Sequence, residues 1–286
     1  MISLSLIPKK YIPHNYQLTG ISFLICNPKS ALFLDPGMGK TPTSLTAIKL
    51  LIGSGNSKAV LMIAPLRVCY SVWPNEIKKW TNFQDMSTTI LHDDNKSSLW
   101  GPKKDIYLIN PEGLEWLHNE LLEGLRAGKE CPFDTLWVDE STKFKSFDSN
   151  RLEYLKNMLP LFKRRHIMTG TPSPKSLIDL WSQMYLLDEG KALGSNFYKF
   201  RKKYFQTNDW DQYNWEIKDF AAEAIKDLIA PMVLEMSAAE YLDMPELVHN
   251  YIMVDLPAKA MRQYKDMEKD FFAELDGAEI NAEAAA

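Results

Sequence analysis

The sequence predicts an α/β fold: a central, mostly parallel sheet with helices on both faces. Three observations carry that expectation. Short apolar runs of strand length alternate with stretches of helical period along most of the chain, one strand-to-helix junction is rich in glycine, and acidic and hydroxyl residues gather where the apolar runs end. In such folds ligands bind beyond the carboxyl ends of the strands.

The 286 residues, 45% of them hydrophobic, suffice for one large or two ordinary domains with a sizeable core. Lys and Arg number 33 against 37 Asp and Glu, a net charge of -4. No global positive field therefore draws the chain to nucleic acid, and any such contact must come from local patches. The cysteines (Cys26, Cys69, Cys131) show neither paired metal spacing nor a disulfide framework, which suits a reducing compartment. "MISLSLIPKKYIP" lacks the charged start and long apolar core of a secretion signal, and no apolar run approaches spanning length. The expectation is a cytoplasmic protein with no membrane partner.

Taken in order, strands are expected at "SALFLD" (Ser30 to Asp35), "KAVLMIAP" (Lys58 to Pro65), "TTILH" (Thr88 to His92), "DIYLIN" (Asp105 to Asn110), "TLWVDES" (Thr135 to Ser141) and "RRHIMTGTP" (Arg164 to Pro172). Helical stretches lie between them, including "TPTSLTAIKLL", "WPNEIKKW", "PEGLEWLHNELLEGL" and "NRLEYLKNML". From Ser176 the sequence turns aromatic-rich and reads as a helical insertion over about 176–230 that includes "SNFYKFRKKYF" and the polar "QTNDWDQYNWEIKD". "PMVLEMS" (Pro231 to Ser237) reads as a late strand of the same sheet, "HNYIMVDLP" (His249 to Pro257) as a strand that begins something new, and the stretch from Lys259 as one amphipathic helix running into an alanine-rich tail. The expected organisation is one lobe over residues 1–240 and a connection over 241–286.

The glycine-rich junction is "LFLDPGMGKTPTSL", Leu32 to Leu45. Gly39, Lys40 and Thr41 match the end of the phosphate-loop pattern G-x-x-x-x-G-K-S/T, while Leu34 stands where its first glycine belongs. Leu34 falls at the end of a strand and can stay extended, whereas Gly37 and Gly39 fall where the backbone must curl around phosphates. Pro42 suits a first helical turn, and a helix starting there aims its free N–H groups and positive dipole end at the loop. Lys40 is expected to reach the terminal phosphates and the Thr41 hydroxyl to bind magnesium.

"LWVDES" places Asp139 and Glu140 at a strand end, over the same edge as that loop. A magnesium nucleotide needs one carboxylate there to hold the metal, and hydrolysis needs another to orient or deprotonate water. Asp139 suits the first role and Glu140 the second. "MTGTP" brings Thr169, Gly170 and Thr171 to the edge as well.

In this order the pieces resemble the ATPases of the Swi/Snf-like branch of helicase superfamily two, which are built from RecA-like lobes of the P-loop NTPase kind. "HNYQLTGISFL" looks like the glutamine motif, with Gln17 in the place that reads the adenine edge. "DPGMGKT" resembles motif I, although the family more often has an acidic Asp-Glu-Met-Gly run there, from which Asp35 and Pro36 depart, and it implies nucleotide contacts from Pro36, Gly37, Met38, Gly39, Lys40 and Thr41. "VLMIAPLRVCYSVWPNEIKKW" is similar to motif Ia and "YLINPEGL" to motif Ib, which contact the sugar-phosphate backbone in that family and implicate Pro65, Arg67 and Asn110. "VDES" replaces the Asp-Glu-Ala-His of motif II, putting Ser141 and Thr142 where alanine and histidine are familiar. "IMTGTP" looks like motif III and implies a coupling role for Thr169, Gly170 and Thr171.

The resemblance implies ATP and Mg2+ as cofactors. It also implies duplex DNA, bound without sequence reading, and a second RecA-like lobe in cis or in trans as partners. That second lobe would supply an arginine-bearing Gln-x-x-x-Arg-x-x-Arg type of run, which does not occur in these residues. Two other readings share part of the pattern. A small-molecule P-loop phosphotransferase would use Lys40, Thr41 and Asp139 but has no need of the Gln17 segment or of Thr169-Gly170-Thr171. An interaction module would hold ATP without turnover.

Overall fold

The apolar runs pair with one another as a single parallel sheet. In this computed structural model, residues 8–173, 176–208, 211–242, 253–270, 272–275 and 278–281 are described. Among them seven strands form the sheet: β1 (Lys29–Leu34), β2 (Val60–Ile63), β3 (Thr88–Ile90), β4 (Ile106–Ile109), β5 (Thr135–Asp139), β6 (Arg164–Thr169) and, later in the chain, β9 (Val233–Met236). Their order is β3-β4-β2-β5-β6-β1-β9. Every pairing is parallel, with Phe33 opposite Thr169, Asp139 opposite Met168 and Leu34 opposite Met236.

Successive strand residues point to opposite faces, so each strand feeds two cores. Ala31, Phe33, Leu61, Ile63, Leu136 and Val138 enter one, while Leu32, Leu34, Val60, Met62 and Trp137 enter the other. This double burial is why the strands read as continuous apolar runs rather than alternating ones. Helices α4 (Leu114–Arg126), α5 (Asn150–Met158), α6 (Leu180–Asp188) and α8 (Ala221–Ile229) contribute buried residues to the first core. Helices α1 (Asn15–Cys26), α2 (Lys40–Gly53) and α3 (Leu66–Lys79) close the second. In α2, Leu45, Ile48 and Leu51 lie at helical spacing and are all buried. Burying each such side chain is worth about 1.5–3 kcal/mol. Helix α5 starts where Ser149 Oγ accepts the Leu152 amide, an N-cap that satisfies one of the free donors of the first turn.

The insertion departs from the helical expectation. Helices α6, α7 (Phe197–Tyr204) and α8 are present, but β7 (Phe205–Asn208) and β8 (Asp211–Ile217) form an antiparallel hairpin, with Phe205 opposite Ile217. Most of the described residues of "QTNDWDQYNWEIKD" are thus strand. Its apolar residues Tyr213, Trp215 and Ile217 recur with period two, which favours a strand over a helix. The late strand expected at Pro231 to Ser237 is β9, which pairs with β1, and the short helix α9 (Ala238–Tyr241) follows it.

The chain divides into two compact units, Met1–Asp243 and Met244–Ala286. In the second, helix α10 (Ala258–Asp270) is followed by β10 (Phe272–Leu275) and β11 (Ala278–Asn281), an antiparallel pair. The expected single helix therefore stops at Asp270. The two strand segments flank an Asp-Gly pair, a hairpin signal that helical periodicity overlooks. Of the strand expected at His249 to Pro257, residues 249–252 lie outside the described residues, and 253–257 are neither helix nor strand. No helix among the described residues is long and apolar enough to cross a membrane.

Candidate functional site

Sheet order decides which loops meet. β6 lies between β1 and β5, so the residues that follow it are inserted between the loop after β1 and the acidic pair that ends β5. All three carboxyl ends share one edge because the sheet is parallel.

Gly37 and Gly39 both take left-handed backbone conformations, with φ of 87° and 75°, which L side chains rarely adopt. Leu34 is extended and buried in β1, so the absent first glycine is not needed. A side-chain carbon at Gly39 would collide with the Gln17 amide. Helix α2 begins at Lys40 with Gly39 as its N-cap, and its first-turn N–H groups open toward the loop. The Lys40 ammonium donates to the carbonyls of Leu34 at 2.7 Å and Asp35 at 3.2 Å. Burial holds that ammonium below the usual lysine range, opposed by the charges of Asp139, Glu140 and Asp35. Asp35, which departs from the family pattern, accepts the Ala238 amide at the start of α9 (2.8 Å) and so ties the loop to the end of the lobe.

Asp139 Oδ2 accepts the indole N–H of Trp73 at 3.0 Å, and Trp73 is fully buried in α3. Burial pushes Asp139 up to about 6; the Trp73 hydrogen bond and Lys40 oppose the rise and the Glu140 charge adds to it. Glu140 sits in the left-handed region at φ 63°, uncommon for a residue with a side chain. Its Oε1 accepts two hydroxyls at 2.8 Å each, from Thr142 and from buried Thr169. Thr169 Oγ1 in turn accepts the Thr171 amide at 3.2 Å. Gly170 lies against the phosphate loop, since a Cβ there would stand 3.1 Å from Pro36 Cδ.

Gln17 is buried in α1 and braces the loop. Its Nε2 donates to the Met38 carbonyl at 3.1 Å, while its Oε1 accepts the Tyr11 hydroxyl and the His14 amide, each at 2.9 Å. One Nε2 hydrogen remains uncommitted. The Tyr16 hydroxyl also donates to Met38 O, at 3.2 Å, and the Met38 side chain is buried in the core, so Met38 faces the loop through its backbone alone. Between α1, α2 and α3 a cleft of about 610 Å³ opens, lined by Tyr11, Gln17, Gly37, Lys40, Thr41 and Trp80 among others. That volume lies within the range of small-molecule sites.

A profile of the SNF2-related domain matches residues 16–285. The chain belongs to the SNF2-related family. Putative protein p41 of Acyrthosiphon pisum secondary endosymbiont phage 1 is 34% identical over 290 aligned positions, covering 97% of this chain and 62% of that protein. The ATP-dependent DNA helicase DDM1 of Arabidopsis thaliana is 28% identical over 182 positions, covering 59% of this chain and 22% of the helicase. The fold is that of the Sulfolobus solfataricus SWI2/SNF2 ATPase core, solved in complex with dsDNA: TM-score 0.64, 23% identity, 95% of this chain and 55% of that one covered. The chain thus spans less than two thirds of the length of these relatives. The sheet is the RecA-like lobe of the SNF2-related ATPases, the fold class expected from the sequence.

In this SNF2-related lobe the residues expected at the nucleotide converge, whereas those expected at nucleic acid lie farther along the same edge. Pro65 caps α3 immediately after β2, and Arg67 is exposed in its first turn. Asn110 follows β4 and is buried, with its Nδ2 donating to Glu112 at 2.8 Å. Two arginines sit at the opposite edge, where β6 starts. Arg164 donates to the carbonyls of Leu24 and Ile25, and Arg165 donates to those of Leu159 and Leu187 and pairs with Glu189 at 2.8 Å. Arg201 stacks 4.2 Å over the Trp215 ring.

Sequence reasoning singled out neither Trp73 as the partner of Asp139 nor Gln183 as the partner of Ser141. Each pair joins residues far apart in the chain, and no local spacing announces it.

Proposed function

We propose that this chain is the ATP-binding lobe of a DNA-dependent ATPase of the Swi/Snf-like helicase type. Paired with a second RecA-like lobe, in cis or in trans, it hydrolyses Mg-ATP to move along or remodel duplex DNA in the cytoplasm. The observation that carries the reading is the convergence of the Gly37–Gly39 loop, Lys40, Asp139 and Glu140 on one edge, with Thr169 bridging to Glu140.

The residues fit the implied ligands. Loop amides, the start of α2 and the Lys40 ammonium suit phosphate. A hydroxyl from Thr41 and a carboxylate from Asp139 are hard oxygen donors of the kind that hold magnesium together with substrate phosphates. When bound, magnesium neutralises charge on those phosphates. Glu140 takes or orients the proton of the attacking water, fixed for that task by its two hydroxyl donors. Gln17 offers its remaining N–H to a purine edge at the other end of the cleft. Pro65, Arg67 and Asn110 place a strand without reading its sequence.

Nucleotide titration with circular dichroism on the wild type and Lys40→Ala tests the site. The expected result is a folded variant without detectable ATP binding. Unchanged affinity in a folded variant contradicts the assignment.

A further inference from the structure

Helix α6 carries a fully buried glutamine whose amide bridges the two segments that flank the candidate base and is braced on its own helix start. Gln183 Oε1 accepts the Ser141 hydroxyl at 2.6 Å, and Nε2 donates to the Pro172 carbonyl at 2.7 Å and to the Asp179 carbonyl at 2.9 Å. Ser141 directly follows Glu140, and Pro172 directly follows Thr171. The neighbouring Ser182 adds a second tie, donating to the Lys145 carbonyl at 2.8 Å. Ser141, Ser182 and Gln183 are all buried.

The amide orientation is forced by its partners. Reversed, it would set its oxygen against the carbonyl oxygens of Pro172 and Asp179, which can only accept. Glutamate would lack the two donors and leucine would lack all three bonds. Glu140 itself holds a left-handed backbone conformation, which persists only where its neighbours over-determine it. The Ser141–Gln183 bond anchors the first residue after that turn, and the Pro172–Gln183 bond anchors the segment that presents Thr169.

We propose that Gln183 is a positioning residue. From α6 it locks the Glu140 turn to the Thr169–Pro172 segment, so that the Glu140 carboxylate is held between Thr142 and Thr169 for hydrolysis. Thr142 thereby stands in, through its hydroxyl, at the position where the related motif has histidine. The proposal rests on the reading of Glu140 as the base in ATP hydrolysis.

The test compares wild type, Gln183→Leu and the double variant Ser141→Ala with Gln183→Leu. The readouts are ATP affinity, melting temperature and single-turnover ATP hydrolysis with the chain in excess. Gln183→Leu is expected to slow hydrolysis about tenfold or more, a loss typical of a displaced catalytic group, with ATP affinity held within about twofold. The double variant removes the stranded hydroxyl, one of three stranded partners, so it is expected to regain part of the lost melting temperature without regaining rate. A rate that recovers together with stability shows a merely structural role and overturns the proposal. Methyl NMR supplies a readout without turnover: the Thr142 and Thr169 signals are expected to move in Gln183→Leu, and signals and rate both unchanged overturn it. A wild-type chain that binds no ATP overturns the nucleotide reading itself and this proposal with it. ATP binding and hydrolysis indifferent to Gln183 overturn this proposal alone.

Discussion

Thr169 Oγ1 donates a 2.8 Å hydrogen bond to Glu140 Oε1, joining the end of β6 to the residue that follows β5. A hydrogen bond to a charged group is worth about 1.5–3 kcal/mol, enough to hold a carboxylate in one rotamer. Thr169→Val keeps the shape and removes the bond, leaving Thr142 as the remaining hydroxyl on that oxygen. The expected outcome is a loss of hydrolysis of roughly 10- to 100-fold with little change in ATP affinity, because the phosphate loop is untouched. Single-turnover rates beside equilibrium binding measure both.

Asp139 gives a prediction that depends on pH. Its folded pKa of about 6 lies above the ordinary 3.8, so between those values the folded state binds more protons than the unfolded one. Its stability contribution is therefore fully present below about pH 4 and is lost as pH rises through about 6. At pH 7 the buried charge costs up to about 3 kcal/mol. Asp139→Asn keeps an acceptor for Trp73 and removes the charge. The variant is expected to melt higher than wild type at pH 7, with the gain shrinking by pH 4, and to lose magnesium-dependent nucleotide binding. Thermal melts at the two pH values and a magnesium titration decide it.

For Gln17 the structure narrows the expectation of adenine reading. The amide oxygen is committed to Tyr11 and His14, so a donor alone is left for a base edge. Gln17→Ala is expected to weaken ATP and GTP binding together, by loosening Met38 and the loop. Paired titrations that show a loss confined to ATP would establish adenine reading instead.

Much of this site was legible because chemistry and fold share one signal. Parallel strands buried on both faces read as continuous apolar runs, so the polar residues that end them, Asp139, Glu140 and Thr169, stand out. Gly37 and Gly39 were legible because a left-handed backbone selects glycine. Strand order was not legible: nothing local says that β6 lies between β1 and β5, and that placement creates the Thr169–Glu140 bond. Trp73–Asp139 and Ser141–Gln183 depend on the same long-range packing. The β7–β8 hairpin is hard to read for a different reason: its short period-two pattern, Tyr213, Trp215 and Ile217, sits among polar residues directly after a helical stretch.

The rate of ATP hydrolysis, with and without duplex DNA, tests the account most directly, on the 286-residue chain alone and with a matching second lobe fused after Ala286 or added in trans. The arginines at the start of β6 are committed at the edge opposite the phosphate loop, and Arg201 is stacked on Trp215. In other nucleotide hydrolases an arginine on the transition state is worth roughly 10³ to 10⁵ in rate. Slow, DNA-indifferent hydrolysis is expected from these residues alone, and a rise of orders of magnitude, responsive to duplex DNA, once the second lobe is supplied. Rapid DNA-stimulated hydrolysis by the purified, monomeric chain would contradict it.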